Sequence, residues 1–289
     1  MDDTLLAVYE DMVTERHLIW QRRQNNEPGP WTTNPVLSKM KMTNMFRVLD
    51  PGSQFVFQLA SSDPVDTITR LVFYRITNWP ETWYAMRMML HGRYPIAKDF
   101  TERTSLLYNL RQYRDNGNQI FSGAYVIIPE PGTKNDKVEG AFNLARGFVN
   151  EKAEAVLEAT TQKEKFDVLK STLGLGPFLS MQILTDWNYL QVEEPDLSFV
   201  VAGPGARRGA KALDPTRPAE EVIHSLTMDL WLDHPTVRVC GRGLTPMDVQ
   251  NTMCEFGKYV RELNGPRKTT PYKAAHPGPQ PKPIVPIWW

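Results

Sequence analysis

Apolar residues recur along this chain at helical spacing, and clusters of turn-forming residues interrupt them. Leu5, Leu6, Val8, Tyr9, Met12, Val13, Leu18 and Ile19 fall at i, i+3 and i+4 positions with charges between them, which predicts a helix over residues 2–24. Asn25-Asn26-Glu27-Pro28-Gly29-Pro30 ends it. A further helix is expected over 35–49, stopping at Asp50-Pro51-Gly52. Asp63-Pro64 has the signature of a helix start: an N-cap carboxylate, a proline where no N–H is missed, and Asp66 in the first turn. Its apolar face takes Ile68, Leu71, Val72, Tyr74, Arg75 and Ile76. Pro80-Glu81-Thr82 opens another helix through Leu90, and the period continues over 101–114, 138–158, 161–171, a segment ending near 190, 218–232 and 245–264. Only Ile120–Ile128 reads as strand-like, with an extended loop or a buried helix end as the alternatives. The expected fold class is all-α, with a helical domain over 1–265. After Gly265 the chain is rich in Pro, Lys and Thr and has no period, which predicts an extended, flexible C-terminal tail over 266–289, ending in Pro286-Ile287-Trp288-Trp289.

Composition changes this picture in two respects. The 289 residues carry 33 Lys and Arg against 33 Asp and Glu, so no global field draws the chain to a polyanion, and any grip on nucleic acid must come from local patches. The two cysteines, Cys240 and Cys254, form no metal-ligand cluster, and the five histidines have neither i, i+4 nor zinc-finger spacing. No metal and no cofactor is therefore expected. No apolar run approaches the ~20 residues of a membrane span, and Met1-Asp2-Asp3 lacks the basic start of a secretory signal. The expectation is a soluble cytoplasmic protein with no membrane partner.

The segment Leu173-Gly174-Leu175-Gly176-Pro177-Phe178-Leu179-Ser180 carries the sharpest chemical signal. Two glycines around one apolar residue allow a tight turn and a close approach by a partner, and Pro177 suits the first turn of the helix that follows. Backbone N–H groups at such a start are natural phosphate ligands. This is the pattern of a helix-hairpin-helix element, which holds a DNA backbone without reading bases. Gly174, Gly176, Pro177 and Ser180 are the expected DNA contacts. In DNA glycosylases built on this hairpin, one helix separates it from a catalytic aspartate, and the matching position here is Asp196 in Glu193-Glu194-Pro195-Asp196. Its carboxylate would project toward an extruded nucleotide. Asp186, on the helix itself, competes for that role, and a solvated acidic turn is the plainer reading of Asp196.

Further chemistry is expected at three places. Gly203-Pro204-Gly205-Ala206-Arg207-Arg208-Gly209-Ala210-Lys211 reads as a glycine-rich basic loop, in which Arg207, Arg208 and Lys211 suit DNA phosphate or a pyrophosphate leaving group. It is not a nucleotide loop, because no segment of this sequence satisfies G-x-x-x-x-G-K-[ST]. Asn44, Arg47 and Gln54 form one polar cluster, and Asn78 belongs to a second beside Arg75. Asn and Gln present the paired donors and acceptors that read a base edge. Arg75 lies among apolar residues, so it needs a carboxylate or phosphate partner. Trp31, Trp79 and Trp83 could stack a base, although aromatics at helix spacing are more often core.

Taken in order, Pro30-Trp31-Thr32, Thr43-Asn44-Met45-Phe46-Arg47, Asp50 with Ser53-Gln54, Phe73-Tyr74-Arg75-Ile76-Thr77-Asn78, Glu81-Thr82-Trp83, the 173–180 hairpin and Gly203-Pro204-Gly205 resemble the phage α-glutamyl/putrescinyl-thymine pyrophosphorylases, the amino acid:DNA transferases. The resemblance runs over about residues 10–265. It extends to the helical module of phage 5-hydroxymethyluracil DNA kinases and, distantly, to helix-hairpin-helix DNA glycosylases. It implies a helical glycosylase-like fold and an enzyme acting on double-stranded DNA that carries a modified pyrimidine. An amino acid or polyamine would displace pyrophosphate from 5-(pyrophosphoryloxymethyl)uracil, with other base-modification enzymes as partners. In that reading Asp196, Asp186, Arg75, Arg207 and Arg208 are the catalytic candidates, and Asn44, Arg47, Gln54 and Asn78 line the base pocket. A DNA base glycosylase and a non-catalytic DNA-binding module are the alternatives.

Overall fold

The computed structural model describes residues 1–102, 105–123, 136–265 and 280–289. The protein is all-α. Among the described residues no strand forms, and Val239 and Arg242 make an isolated antiparallel bridge. The helices are α1 (Asp3–Gln24), α2 (Pro51–Val56), α3 (Pro64–Thr77), α4 (Pro80–Met89), α5 (Ala97–Thr101), α6 (Ser105–Asp115) and α7 (Lys137–Glu151). They continue as α8 (Ala153–Glu158), α9 (Gln162–Lys170), α10 (Pro177–Tyr189), α11 (Pro204–Leu213), α12 (Ala219–Leu226) and α13 (Pro246–Leu263).

Local chemistry sets most of these starts. Asp63 accepts the Val65 N–H at 2.8 Å and Pro64 stands at the first position of α3. Thr161 with Glu164, and Thr245 with Asp248, close reciprocal capping boxes on α9 and α13. Glu164 accepts from the backbone and side chains of Thr160 and Thr161, which pulls its carboxyl down to about 2.

The chain divides into two compact units. One holds Met1–Asp50, Leu197–Val285 and Trp289. Its core joins α1, α11, α12 and α13. Tyr9 meets Trp231 and Phe256 edge-on, at 5.6 and 5.2 Å between ring centroids, and its hydroxyl shares a 2.6 Å hydrogen bond with Thr252. The other holds Pro51–Asp196 and Pro286–Trp288. Its axis is α3, buried on every side from Thr67 to Thr77 and packed by α5, α7, α8 and α10. A helix buried all round cannot be amphipathic, so α3 carries its polar residues as internally bonded groups. Phe73, Phe100 and Phe142 form the aromatic centre beside it.

Four expectations change. Residues 35–49 form turns and a short 3₁₀ segment, Arg47–Leu49, rather than a helix. Asn34 Oδ1 accepts the N–H groups of Val36 and Leu37, a local turn that competes with helix. Asp50-Pro51-Gly52 starts α2 instead of closing a helix. The 138–158 stretch breaks at Lys152 (φ −131°, ψ −27°) into α7 and α8.

The largest change concerns the basic segment. Gly203–Lys211 is not a loop: it is the N-cap and body of α11. Gly205 and Gly209 lie one turn apart and face α13. A Cβ on Gly209 would collide with the Met253 carbonyl, and one on Gly205 with the Cys254 sulfur. The glycines serve close helix packing, and the cations are left on the outer face.

Residues 124–128 of the strand-like stretch, and 266–279 of the expected tail, lie outside the described residues. Ile120 is buried, and its carbonyl accepts the Thr82 hydroxyl at 2.8 Å. At the chain end Pro286 is buried, Trp288 Nε1 donates to the Asn188 carbonyl at 3.2 Å, and Trp289 meets Phe46 edge-on.

Candidate functional site

In the Pro51–Asp196 unit, α9 ends at Ser171 and the chain turns into α10 through Thr172–Gly176. Leu175 N–H donates to the Thr172 carbonyl at 3.0 Å and closes the turn. Gly174 sits at φ +90°, where an L side chain is strained, and a Cβ there would come within 2.7 Å of Leu144. The fold therefore requires that glycine. Gly176 differs. Its φ of −77° and ψ of 170° suit any residue, and nothing lies within 4 Å of the place a Cβ would take. Gly174, Gly176, Pro177 and Phe178 are exposed or nearly so while Leu175 is buried, so the hairpin hangs on one apolar residue and presents its backbone outward. No side chain caps α10 at Gly176. Ser180 is turned inward, and its hydroxyl donates to the Gly176 carbonyl at 3.1 Å, fixing the first turn. Thr172 Oγ1 is buried without a hydrogen-bond partner among the described residues.

Beneath the hairpin, α10 carries a row of buried polar residues: Ser180, Gln182, Thr185, Asp186 and Asn188. Asp186 meets Arg75 of α3 through both carboxylate oxygens, which accept from Nε and Nη2. Each side chain is 1% exposed. The carboxylate that the Arg75 environment demanded is thus Asp186, which lies 111 residues away in sequence. Arg75 Nη1 also reaches Asn78 Oδ1 at 3.5 Å. Asn78 ends α3 in the left-handed region at φ +46°, and its amide donates to Ser122 Oγ at 3.0 Å. Tyr74 donates its hydroxyl to the Gly52 carbonyl at 3.0 Å, bringing the start of α2 onto this cluster. Ser53 is fully buried, and its Oγ has no hydrogen-bond partner among the described residues. Gln54, the next residue, is half-buried. Asp196 is exposed in the irregular segment that follows α10.

In the other unit, Asn44 Oδ1 accepts from Arg16 at 2.7 Å and its amide donates to the Leu49 carbonyl. Asp50 accepts the Asn44 N–H at 2.9 Å and the Arg47 guanidinium at 2.8 Å. Asp248 accepts the Arg47 backbone N–H at 2.7 Å. Burial pushes the Asp50 and Asp248 carboxyls above their ordinary range, against the pull of Arg47 and of their hydrogen bonds. His17, stacked on Trp20, is driven by burial down to about 4. Asn44 and Arg47 thus share one network, while Asn78 belongs to the Gly52–Arg75 cluster and Gln54 follows Ser53 on α2.

The sequence reading missed Asp248, Arg16, Ser122 and Thr172. For Asp248 the Thr245-x-x-Asp248 spacing was visible, but it signals a helix cap and not a partner for Arg47. Among the described residues no group of three or more His, Cys, Asp or Glu could hold a metal ion, and no helix is long and apolar enough to cross a membrane.

Comparison with known proteins decides the family. The model of the 5-hmdU DNA kinase helical domain matches residues 3–268. The chain belongs to this helical-domain family. A 5-hmdU DNA kinase from Bacillus phage SP10 is 24% identical over 233 residues, covering 71% of this chain and 36% of the relative. The chain thus spans about a third of that relative's length. No solved structure matches at a significant level.

The exposed Gly176 can be tested apart from the fold. Gly176→Val is expected to weaken binding to a short DNA duplex about tenfold in low salt, on the order of one charge-assisted phosphate interaction. The melting temperature should shift by no more than a few degrees, because the site is open and loses only part of a cap. Fluorescence anisotropy and thermal melts read the two effects. Equal affinity for wild type and variant would remove the hairpin from the DNA interface.

Proposed function

We propose that this chain acts in thymine hypermodification on DNA, transferring an amine onto 5-(pyrophosphoryloxymethyl)uracil with release of pyrophosphate. The family match over residues 3–268 carries the broader part of this reading, a role in thymine hypermodification, and the resemblance to the amino acid:DNA transferases supports the transfer step. The exposed hairpin, with no side chain capping α10 at Gly176, supports it as a place where a phosphate could approach the helix start.

The reaction breaks the bond between the base methylene and the pyrophosphate oxygen and forms a C–N bond in its place. The incoming ammonium must lose a proton before it attacks, and pyrophosphate carries off the bonding pair. In this reading Asp196 takes that proton. In this reading Gln54 and Asn78 hold the edge of the extruded pyrimidine. Asn44 and Arg47 are candidates by resemblance alone. Arg75 and Asp186 satisfy one another and keep α3 and α10 in register beneath the hairpin. Attack by water in place of the amine would regenerate hydroxymethyluracil, so the reaction requires that water be kept from the activated carbon.

The test is mass spectrometry of nucleosides from DNA carrying the activated base, after incubation with the protein and a pool of amino acids and polyamines. A new aminated thymidine with matching pyrophosphate release is expected. Abasic sites would instead identify a glycosylase. Unchanged nucleosides with every amine would overturn the transfer reading.

A further inference from the structure

We propose that the outer faces of α11 and the C-terminal half of α13 form a ridge that docks the sugar–phosphate backbone of duplex DNA. The inference rests on the reading that the chain acts on DNA, and it adds a surface in the Met1–Asp50 and Leu197–Val285 unit that the hairpin does not provide. Gly205 and Gly209 bring α11 against α13 so closely that a Cβ on Gly257 of α13 would stand 3.4 Å from the Gly209 backbone nitrogen. The inner face of α11 buries Ala206, Gly209, Ala210 and Leu213. Arg207, Arg208 and Lys211 are left exposed.

The two helices pool their cations. Arg208 of α11 and Lys258, Arg261 and the acid Glu255 of α13 all act electrostatically on Cys254, which sits where the helices meet. Arg261 is exposed and Lys258 half-buried. Two of the neighbouring acids are engaged: Glu255 is buried and paired with Lys258 at 2.7 Å, and Glu220 accepts the Ala202 N–H while facing Arg207 at 3.9 Å. Glu262 is the remaining acid on this part of α13. In a chain with equal numbers of acids and bases, such a concentration of cations is a local feature, and a polyanion complements it.

The geometry selects the backbone over a small leaving group. Stabilising a departing pyrophosphate calls for convergent donors in a water-excluded place. The α11 cations stand on a solvated helix, Arg207 being 62% exposed, with no aromatic neighbour on α11 to stack a base. Phosphate-directed interactions of this kind fix position and carry no sequence information, so binding along the ridge is independent of sequence.

The experiment measures affinity for a short unmodified duplex against salt concentration, for the full chain and for the Arg208→Ala/Lys211→Ala/Arg261→Ala variant. All three side chains are exposed on helices, so the variant is expected to melt with the wild type. The slope of log K against log salt should fall in magnitude by about 2–3, near 0.9 for each phosphate that the variant no longer neutralises. Lys98→Ala/Lys163→Ala, which removes exposed cations elsewhere, should leave the slope unchanged. An unchanged slope in the triple variant would overturn the ridge, as would an equal loss in the control pair. Because the duplex carries no activated base, a failed transfer reaction leaves this measurement intact.

Discussion

Asp186→Ala is expected to cost the protein about 3–5 kcal/mol of stability, read as a lower urea midpoint, because it strands a buried guanidinium. Arg75 and Asp186 are each 1% exposed and meet through two nitrogens and two oxygens. Taking one partner away leaves the other charge without water and without its counterion, which is far worse than never having had the pair. The companion variant Arg75→Met/Asp186→Leu removes both charges and fills similar volume, so it should regain most of the loss. The pair joins α3 to α10, and the double variant is expected to preserve that packing. The same protein decides whether these residues also touch substrate. Turnover near the wild-type rate in the stable double variant makes the pair scaffolding. Lost turnover with restored stability would return Arg75 and Asp186 to the reaction.

Most helix starts were legible because they depend on neighbours in sequence. Asp63-Pro64 and Pro177 state their roles within a few residues, and the structure follows them. Residues 35–49 misled because Val36, Leu37, Met42, Met45 and Phe46 are buried as an irregular segment, and burial without regular spacing imitates a period. Arg75 announced the kind of partner it needs, but the chain could not say which carboxylate, since the pairing is set by tertiary packing. The α11 segment misled for the opposite reason. Each glycine costs a helix about 1 kcal/mol in isolation, so Gly203, Gly205 and Gly209 together read as a loop. The Gly205/Gly209 spacing of four was the available signal, and the closeness of α13 is the tertiary fact that explains it. In the same way, sequence made Gly174 and Gly176 look equivalent. Backbone angles and neighbours distinguish a glycine the fold requires from one that it merely permits.

Asp196→Asn should lower the rate of amine transfer by about 10²–10⁴-fold, the range for loss of a general base, and leave DNA affinity unchanged. Asparagine keeps the shape of the side chain at an exposed position, so neither folding nor docking should respond. The signature lies in the pH profile. Without a carboxylate to take the proton, only amine that is already neutral can attack, so the variant's rate should climb with pH toward the amine's own pKa. The wild type should level off earlier, because Asp196 supplies the proton acceptor locally. Aspartate and asparagine enzymes would then converge at high pH, which a purely structural defect would not produce. If the variant instead matches the wild type at neutral pH, Asp196 is a solvated acidic turn, and the proton must leave the amine by another route.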